Sequence, residues 1–184
     1  SSMCDSILNE SGYTTGFYSS PHLHTFRERI RLDTEEISEI LFSQLVDTVK
    51  SYAETMTESD VSLFEFMTAM AFYCFAEKNV DFQTIEVGLG GRLDATNVVS
   101  PEIAIITSIS LDHIAILGDS IEQIAFEKAG IIKPNCDVVI SPQQESVYEI
   151  LNDICRSRGA RSISVGKDIT WEPRSQDADR QQAT

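Results

Sequence analysis

Residues 82–97 are Phe-Gln-Thr-Ile-Glu-Val-Gly-Leu-Gly-Gly-Arg-Leu-Asp-Ala-Thr-Asn, a mostly apolar run followed by a glycine-rich loop. A short apolar run flanked by loop residues is typical of a strand buried in a parallel sheet. We interpret Phe82 to Val87 as such a strand, with Glu86 inside it. A buried carboxylate rarely lacks a cationic or metal partner, and glycines let the backbone approach a ligand closely. The stretch therefore predicts a parallel sheet with a ligand site at its carboxyl end.

Predicted helices and strands alternate on both sides of this stretch. The predicted helices are residues 1–11, Thr34 to about Thr55, a long apolar helix around Ser62 and Glu65 that ends near Asn79, Ile121–Ala129 and about Glu145–Arg158. The other predicted strands are Tyr13–Ser20, Ile103–Ile109, Asp137–Ile140 and Ser162–Val165. Asp33 and Glu36 have the spacing of a capping box, which predicts a helix start at Thr34. Because helices separate the strands, we predict a three-layer α/β domain, with helices on both faces of a mostly parallel sheet.

Composition limits the classes of partner. Of the 184 residues, 42% are apolar and 23% are charged, as in a globular domain. The formal net charge of −15 argues against nucleic acid and anionic membranes as partners, since both require clustered cations. No apolar run approaches the roughly 20 residues that cross a bilayer. The four cysteines form no Cys-x-x-Cys pair, so we interpret them as reduced thiols and expect a cytoplasmic protein.

Polar side chains stand at the ends of three predicted strands. Ser20 precedes Pro21, Glu86 lies near the end of its strand, and His113 follows the next one. In a parallel sheet such ends meet at the edge where ligands bind. A hydroxyl, a carboxylate and an imidazole can complete a magnesium shell with water and nucleotide phosphate oxygens. Taken singly, a Ser-Pro pair more often only starts a turn, and a lone histidine is more often structural.

Three longer segments together resemble the folylpolyglutamate synthase and dihydrofolate synthase family of the Mur ligase superfamily. They are Ser-Ser-Pro-His-Leu at 19–23 with Arg-Glu-Arg-Ile at 27–30, residues 86–97, and Ser-Ile-Ser-Leu-Asp-His at 108–113 with the run ending in Glu-Lys-Ala-Gly-Ile-Ile-Lys-Pro at 127–134. The similarity runs in order from about residue 1 to about residue 145. It implies the central, P-loop-type ATPase domain of a Mur ligase.

The resemblance implies an ATP-dependent ligase that adds L-glutamate to folate or dihydropteroate. ATP would phosphorylate the substrate carboxylate, and the glutamate amine would attack the acyl phosphate while magnesium ions offset the charge. It further implies that Ser20, Glu86 and His113 are metal ligands and that Lys128 is carbamylated, so that Glu86, His113 and Lys128 form the catalytic set. The positions that match the pterin or pteroate pocket are Ser19, Phe64, Arg92, Leu93, Asp94 and Ala95. The family resemblance also suggests a monomer.

Two family features are absent from this sequence. The resemblance implies a Gly-Thr-x-Gly-Lys-Gly-Ser/Thr phosphate loop just before the helix that starts here at Ser1, and a C-terminal domain that helps to bind glutamate. We therefore expect a fragment in which residues 1–170 form a truncated central domain and residues 171–184 a polar, frayed tail. Such a fragment is expected to hold no nucleotide-binding loop of its own and not to turn over ATP.

Two other functions remain open. A peptidoglycan-type Mur ligase, adding an amino acid to a UDP-linked substrate, would share the Leu-Asp-His segment and the lysine. The Arg-Leu-Asp-Ala-Thr-Asn and Ser-Ser-Pro-His-Leu segments favour folate instead. A non-catalytic nucleotide-binding module is the other alternative, and the joint presence of Ser20, Glu86, His113 and Lys128 argues against it. The sequence does not separate dihydrofolate synthase from polyglutamate extension.

Overall fold

Strands and helices alternate along the chain, as the sequence predicts. The structure is a computed structural model that describes residues 1–56, 60–177 and 181–183. It divides into unit 1, Ser1–Leu89 with Asp94–Thr96, and unit 2, Gly90–Leu93 with Asn97–Thr184. Among the described residues no helix is long and apolar enough to cross a membrane.

Unit 1 is built on a four-stranded mixed sheet. Its elements are α1 (Ser2–Glu10), β1 (Thr15–Tyr18), a 3₁₀ turn (Phe26–Arg29), β2 (Ile30–Leu32), β3 (Glu35–Glu36), α2 (Glu39–Ala53), α3 (Leu63–Lys78) and β4 (Phe82–Ile85). The strand order is β3-β2-β1-β4, with β1 and β4 parallel and the other pairs antiparallel. The parallel pairing of β1 with β4 agrees with the mostly parallel sheet that the sequence predicts, whereas the antiparallel part was not predicted.

The predicted helix start at Thr34 is wrong. Asp33 and Thr34 have φ values of 50° and 73° and form the two-residue turn between β2 and β3. Positive φ at both central residues gives the hairpin turn whose twist matches the flanking strands. The Asp33 carboxylate accepts a 2.8 Å hydrogen bond from the Thr15 amide instead of capping a helix. Helix α2 begins at Glu39, after Ser38, whose hydroxyl accepts a bond from the Leu41 amide.

The strand that precedes the glycine loop also differs from the prediction. It ends at Ile85, so Glu86 follows the strand rather than lying inside it. It is not fully buried either, because β4 is the last strand of this sheet and Phe82 is 39% exposed. The glycine loop therefore starts from the end of an outer strand.

Helices α2 and α3 contribute most of the apolar core of unit 1. The buried cluster comprises Tyr18, Ile30, Ile37, Leu45, Val49, Met67, Met70, Ala71, Cys74 and Phe75. The capping box of Ser62 and Glu65 is confirmed and stands at the helix start, with a 3.2 Å bond from the Glu65 amide to the Ser62 hydroxyl. Asn79 ends the helix in the left-handed conformation, as a C-terminal cap requires. Ile40 on α2 is exposed.

Unit 2 contains a three-stranded parallel sheet. Its elements are β5 (Ile103–Ile106), α4 (Ile114–Leu117), α5 (Ile121–Lys128), a 3₁₀ turn (Ala129–Ile131), β6 (Asp137–Ile140), α6 (Glu145–Arg158), β7 (Arg161–Ser164), β8 (Pro173–Gln176) and β9 (Gln181–Ala183). Strands β5, β6 and β7 are consecutive in the sheet, and α5 and α6 are the connecting helices. This is the β-α-β arrangement expected from the sequence, so the predicted α/β class is confirmed.

The sequence predicts a frayed tail from residue 171, but part of this segment has regular structure. Strands β8 and β9 pair antiparallel within it. A 3₁₀ turn at Ala95–Val98 lies partly in each unit.

Candidate functional site

Ser19 and Glu86 lie at the carboxyl ends of two neighbouring parallel strands in unit 1. The register pairs Tyr18 of β1 with Ile85 of β4. The Glu86 amide then donates a 2.9 Å hydrogen bond to the Tyr18 carbonyl, and the Ser19 amide donates a 3.1 Å bond to the Arg29 carbonyl. Backbone hydrogen bonds therefore fix where each strand ends and where the residues that follow begin.

Ser20 and Glu86 have side-chain oxygens without a partner in the described part of the chain. Both residues are half-buried. Among the described residues, neither the Ser20 hydroxyl nor the Glu86 carboxylate takes part in a hydrogen bond or ion pair. Hydroxyl and carboxylate oxygens are ligands that magnesium accepts, so the two side chains fit a role as metal ligands. Within residues 1–56, 60–177 and 181–183, no three His, Cys, Asp or Glu side chains are grouped so as to hold a metal ion.

The loop after Pro21 is fixed by Glu28. The peptide bond between Ser20 and Pro21 is cis. The Glu28 carboxylate accepts bonds of 2.8, 2.7 and 2.6 Å from the amides of Leu23, His24 and Thr25. These donors, the Leu23 amide first, lower the pKa of Glu28 from 4.5 to about 2. The predicted Arg-Glu-Arg-Ile segment thus orders the chain directly after the Ser20 position.

Phe64 packs over the start of the glycine loop. Its ring centroid is 6.1 Å from that of Tyr18, and a Cβ atom on Gly88 would lie 2.5 Å from its Cζ. Only glycine fits at position 88 while this ring stays in place. Below the ring, the buried Tyr18 hydroxyl accepts a 3.1 Å bond from Thr68, and burial raises the pKa of Tyr18. Phe64 itself is half-buried, which leaves part of the ring available to a flat ligand.

Asp94 closes the loop on itself. Its carboxylate accepts bonds of 2.8 Å from the Leu89 amide, 2.9 Å from the Thr96 amide and 2.6 Å from the Thr96 hydroxyl. Both carboxylate oxygens of Asp94 are thus engaged within unit 1. Ala95, which lies between Asp94 and Thr96, is half-buried. In unit 2, Leu93 is 80% exposed.

Arg92, predicted to bind substrate, is held by a glutamate. Its guanidinium Nε lies 3.1 and 3.2 Å from the two carboxylate oxygens of Glu127, and its Nη2 lies 2.9 Å from Oε1. The Arg92 amide also donates a 2.8 Å bond to the Glu127 carbonyl. Nη1 makes no hydrogen bond within the described residues and stays available to a ligand.

His113 and Lys128 stand at the two ends of the α4–α5 segment of unit 2. His113 precedes α4 with φ of 49°, and its amide bonds the Asp112 carboxylate at 2.8 Å. Its Nε2 lies 3.6 Å from the other oxygen of Asp112, and the side chain is 55% exposed. Lys128 is the last residue of α5 and is half-buried. Its amine has no ion pair or hydrogen bond in the part of the chain that the structure describes.

Sequence reasoning missed two residues that organise this region, Glu127 and Asn97. The Asn97 amide nitrogen donates to the carbonyls of Arg92, at 3.0 Å, and Gly130, at 3.3 Å. The Lys133 amine donates a 2.8 Å bond to the Asn97 carbonyl. Both residues stand inside the quoted segments. Neither segment alone shows that Glu127 contacts Arg92 or that Asn97 contacts Gly130.

Comparison with known proteins assigns these segments to a family. The model of the Mur ligase middle domain matches residues 34–182. The dihydrofolate synthase/folylpolyglutamate synthase of Bacillus subtilis (strain 168) is 45% identical over 150 residues, which are 79% of this chain and 35% of that protein. The mitochondrial folylpolyglutamate synthase of Homo sapiens is 40% identical over 80% of this chain and 26% of its own length.

The solved structures that this chain resembles are also folylpolyglutamate synthases. The folylpolyglutamate synthase of Thermotoga maritima superposes with a TM-score of 0.90 at 40% identity, covering 98% of this chain and 42% of that one. A folylpolyglutamate synthase in complex with AMPPCP and folate gives 0.89 at 31% identity, covering 94% and 43%. The chain spans about a third of the Bacillus protein and about a quarter of the human one.

Proposed function

Because the chain belongs to the Mur ligase family, as a middle domain of the folylpolyglutamate synthase and dihydrofolate synthase branch, we propose that it serves ATP-dependent ligation of L-glutamate to folate or dihydropteroate. The main support is Ser20 and Glu86 beside the ends of β1 and β4, whose half-buried side-chain oxygens have no hydrogen bond or ion pair among the described residues. Both stand in segments that match this branch, and ligands of α/β sheets bind at this edge.

The proposed reaction proceeds through an acyl phosphate. ATP transfers its terminal phosphoryl group to the substrate carboxylate, the glutamate amine attacks the acyl carbon, and phosphate leaves as the amide forms. Magnesium, when bound, offsets the negative charge of the phosphoryl group and of the approaching carboxylate. Ser20, Glu86 and His113 are the proposed ligands.

Lys128 is proposed to act as a carbamate. Its amine is half-buried and has no ion pair or hydrogen bond among the described residues, so it is available to react with carbon dioxide and become an anion. Replacing Lys128 by alanine should abolish ligation, and a small carboxylate such as acetate should restore part of it. Rescue by a small amine and not by a carboxylate would contradict the carbamate. Lys50→Ala, on an exposed face of α2, is the control and should leave ligation unchanged.

The pteroate pocket is proposed to include Ser19, Phe64, Arg92, Leu93, Asp94 and Ala95. Phe64 would stack on the ring system. Asp94, with both oxygens engaged by the loop, would act by holding the loop's shape. Nη1 of Arg92, which makes no hydrogen bond among the described residues, would be its point of contact with the substrate.

The direct test is a ligation assay on the protein expressed from its complete reading frame. ATP and glutamate are supplied with dihydropteroate, tetrahydrofolate or a UDP-linked muramoyl acceptor, and products are identified by mass. We expect a glutamylated product with at least one of the two pterin substrates and none with the UDP-linked one. Product from the UDP-linked acceptor alone would support a peptidoglycan-type ligase. No product from any acceptor would favour a non-catalytic module.

A further inference from the structure

Glu127 and Arg92 form a bidentate ion pair in unit 2. Two guanidinium nitrogens contact the carboxylate at 2.9 to 3.2 Å. The Glu127 side chain is only 19% exposed. Exposed single-contact ion pairs contribute little to stability, whereas a bidentate pair with one half-buried partner holds a defined geometry.

The backbone reinforces the same contact from both sides. The Arg92 amide bonds the Glu127 carbonyl at 2.8 Å. A Cβ atom on Gly91 would lie 2.8 Å from that carbonyl oxygen, and one on Gly130 would lie 2.3 Å from the Arg92 Cα. The two glycines therefore allow the loop and the end of α5 to meet backbone against backbone. The Asn97 side chain donates hydrogen bonds to both segments, at the carbonyls of Arg92 and Gly130.

Lys128 is the next residue after Glu127 and the last of α5. Helix ends fray because their last carbonyls lack helical partners. Here one of those carbonyls, that of Glu127, has a partner in the Arg92 amide. The junction thus fixes the residue from which the Lys128 side chain extends.

We propose that Glu127 is a positioning residue, which with Arg92 holds the end of α5 so that the Lys128 amine keeps its place. The chemistry of Lys128 rests on the proposed function, but its placement does not.

The first test is the reactivity of Lys128 toward trace acetic anhydride in bicarbonate-free buffer, measured by mass spectrometry. Lys50 and Lys78, both in unit 1, serve as internal references. Arg92→Met should change the relative labelling of Lys128 by about threefold or more, because a released helix end samples open states. Glu127→Gln, which keeps one acceptor oxygen, should give a smaller change in the same direction.

Two variants separate the pair from a general disturbance. The reversed pair, Arg92→Glu with Glu127→Arg, should return the Lys128 labelling toward that of the wild type. Asp153→Asn removes the exposed 2.7 Å ion pair with Arg156 on α6 and should leave the labelling unchanged. Wild-type labelling in both single variants would overturn the proposal, and so would a reversed pair that behaves like Arg92→Met.

The second test uses the complete protein and the bicarbonate dependence of ligation. Glu127→Gln should shift the bicarbonate concentration that gives half-maximal activity, an effect that a purely structural role does not produce. Altered labelling in a protein without ligase activity would retain the positioning role and reject the proposed function. Active ligase with unaltered labelling and bicarbonate response would reject the positioning role alone.

Discussion

The amide of Glu86 donates a 2.9 Å hydrogen bond to the carbonyl of Tyr18, while the carboxylate of Glu86 has no partner among the described residues. The backbone of this residue therefore belongs to the sheet, and its side chain is left for a ligand. The two roles can be separated experimentally, since a side-chain change leaves the backbone bond intact.

Glu86→Gln should lower the ligation rate by about 10²-fold or more, the loss typical of removing one preorganised charge-stabilising group. The melting temperature should stay within about 1 °C of wild type, because only the backbone of Glu86 bonds the sheet. Steady-state kinetics at varied magnesium and thermal unfolding measure the two quantities. Glu149→Gln, an exposed change on α6, is the matched control. A Glu86→Gln enzyme with wild-type kinetics would remove Glu86 from the proposed ligands.

His113→Asn should abolish most ligation without unfolding the protein. The residue has φ of 49°, and asparagine adopts this conformation more readily than most residues. Loss of activity at an unchanged melting temperature, with partial recovery at high magnesium, is the expected outcome. His24→Asn alters a histidine whose side chain is 88% exposed and should have no effect. Retained ligation in His113→Asn would show that the imidazole is dispensable.

Regular elements were predictable where one local pattern dominated. The limits of β6 and α6 agree with the sequence prediction. The family resemblance read from the three segments is likewise confirmed. The hairpin was missed because Asp33 and Thr34 suit both a helix start and a two-residue turn. A bond between Asp33 and Thr15, 18 residues apart, decides between them, and no short-range pattern reports it.

Gly88→Ala should destabilise the protein by about 1–3 kcal/mol, because its Cβ would overlap the Phe64 ring. Phe64→Leu shortens the obstructing side chain and should relieve most of that loss in the double variant. Chemical unfolding of the four proteins in a double-mutant cycle gives the coupling between the two sites. Strictly additive effects would show that the ring does not restrict position 88.

Glu28→Gln should destabilise unit 1 at neutral pH and have little effect in strong acid. The folded pKa of about 2 lies below the ordinary value of 4.5. The stabilisation is therefore complete above about pH 4.5 and is lost as the pH falls toward about 2. Melting temperatures of both proteins across this range should converge as the pH falls. Thr25→Ala removes the neighbouring hydroxyl that accepts a bond from the Arg27 amide. The difference in melting temperature between this variant and the wild type should not follow the same pH dependence.

Part of the candidate site was beyond prediction from local sequence. Ser20 could be assigned to the end of its predicted strand, whereas Glu86 was predicted inside a strand that in fact ends at Ile85. The Arg92–Glu127 pair joins residues 35 positions apart, and its side chains are equally typical of solvated surface residues. Only the meeting of Gly91 with Glu127 and of Gly130 with Arg92 makes the contact specific.

The central claim, ligation through an acyl phosphate on a pteroate or folate carboxylate, is tested most directly by isotope transfer. The complete protein is supplied with ATP, glutamate and dihydropteroate or tetrahydrofolate whose reacting carboxylate carries ¹⁸O, and the released phosphate is analysed by mass. We predict that phosphate gains one ¹⁸O atom for each amide formed, with ADP as the nucleotide product. Amide formation with unlabelled phosphate, or with ¹⁸O found in AMP, would contradict the account.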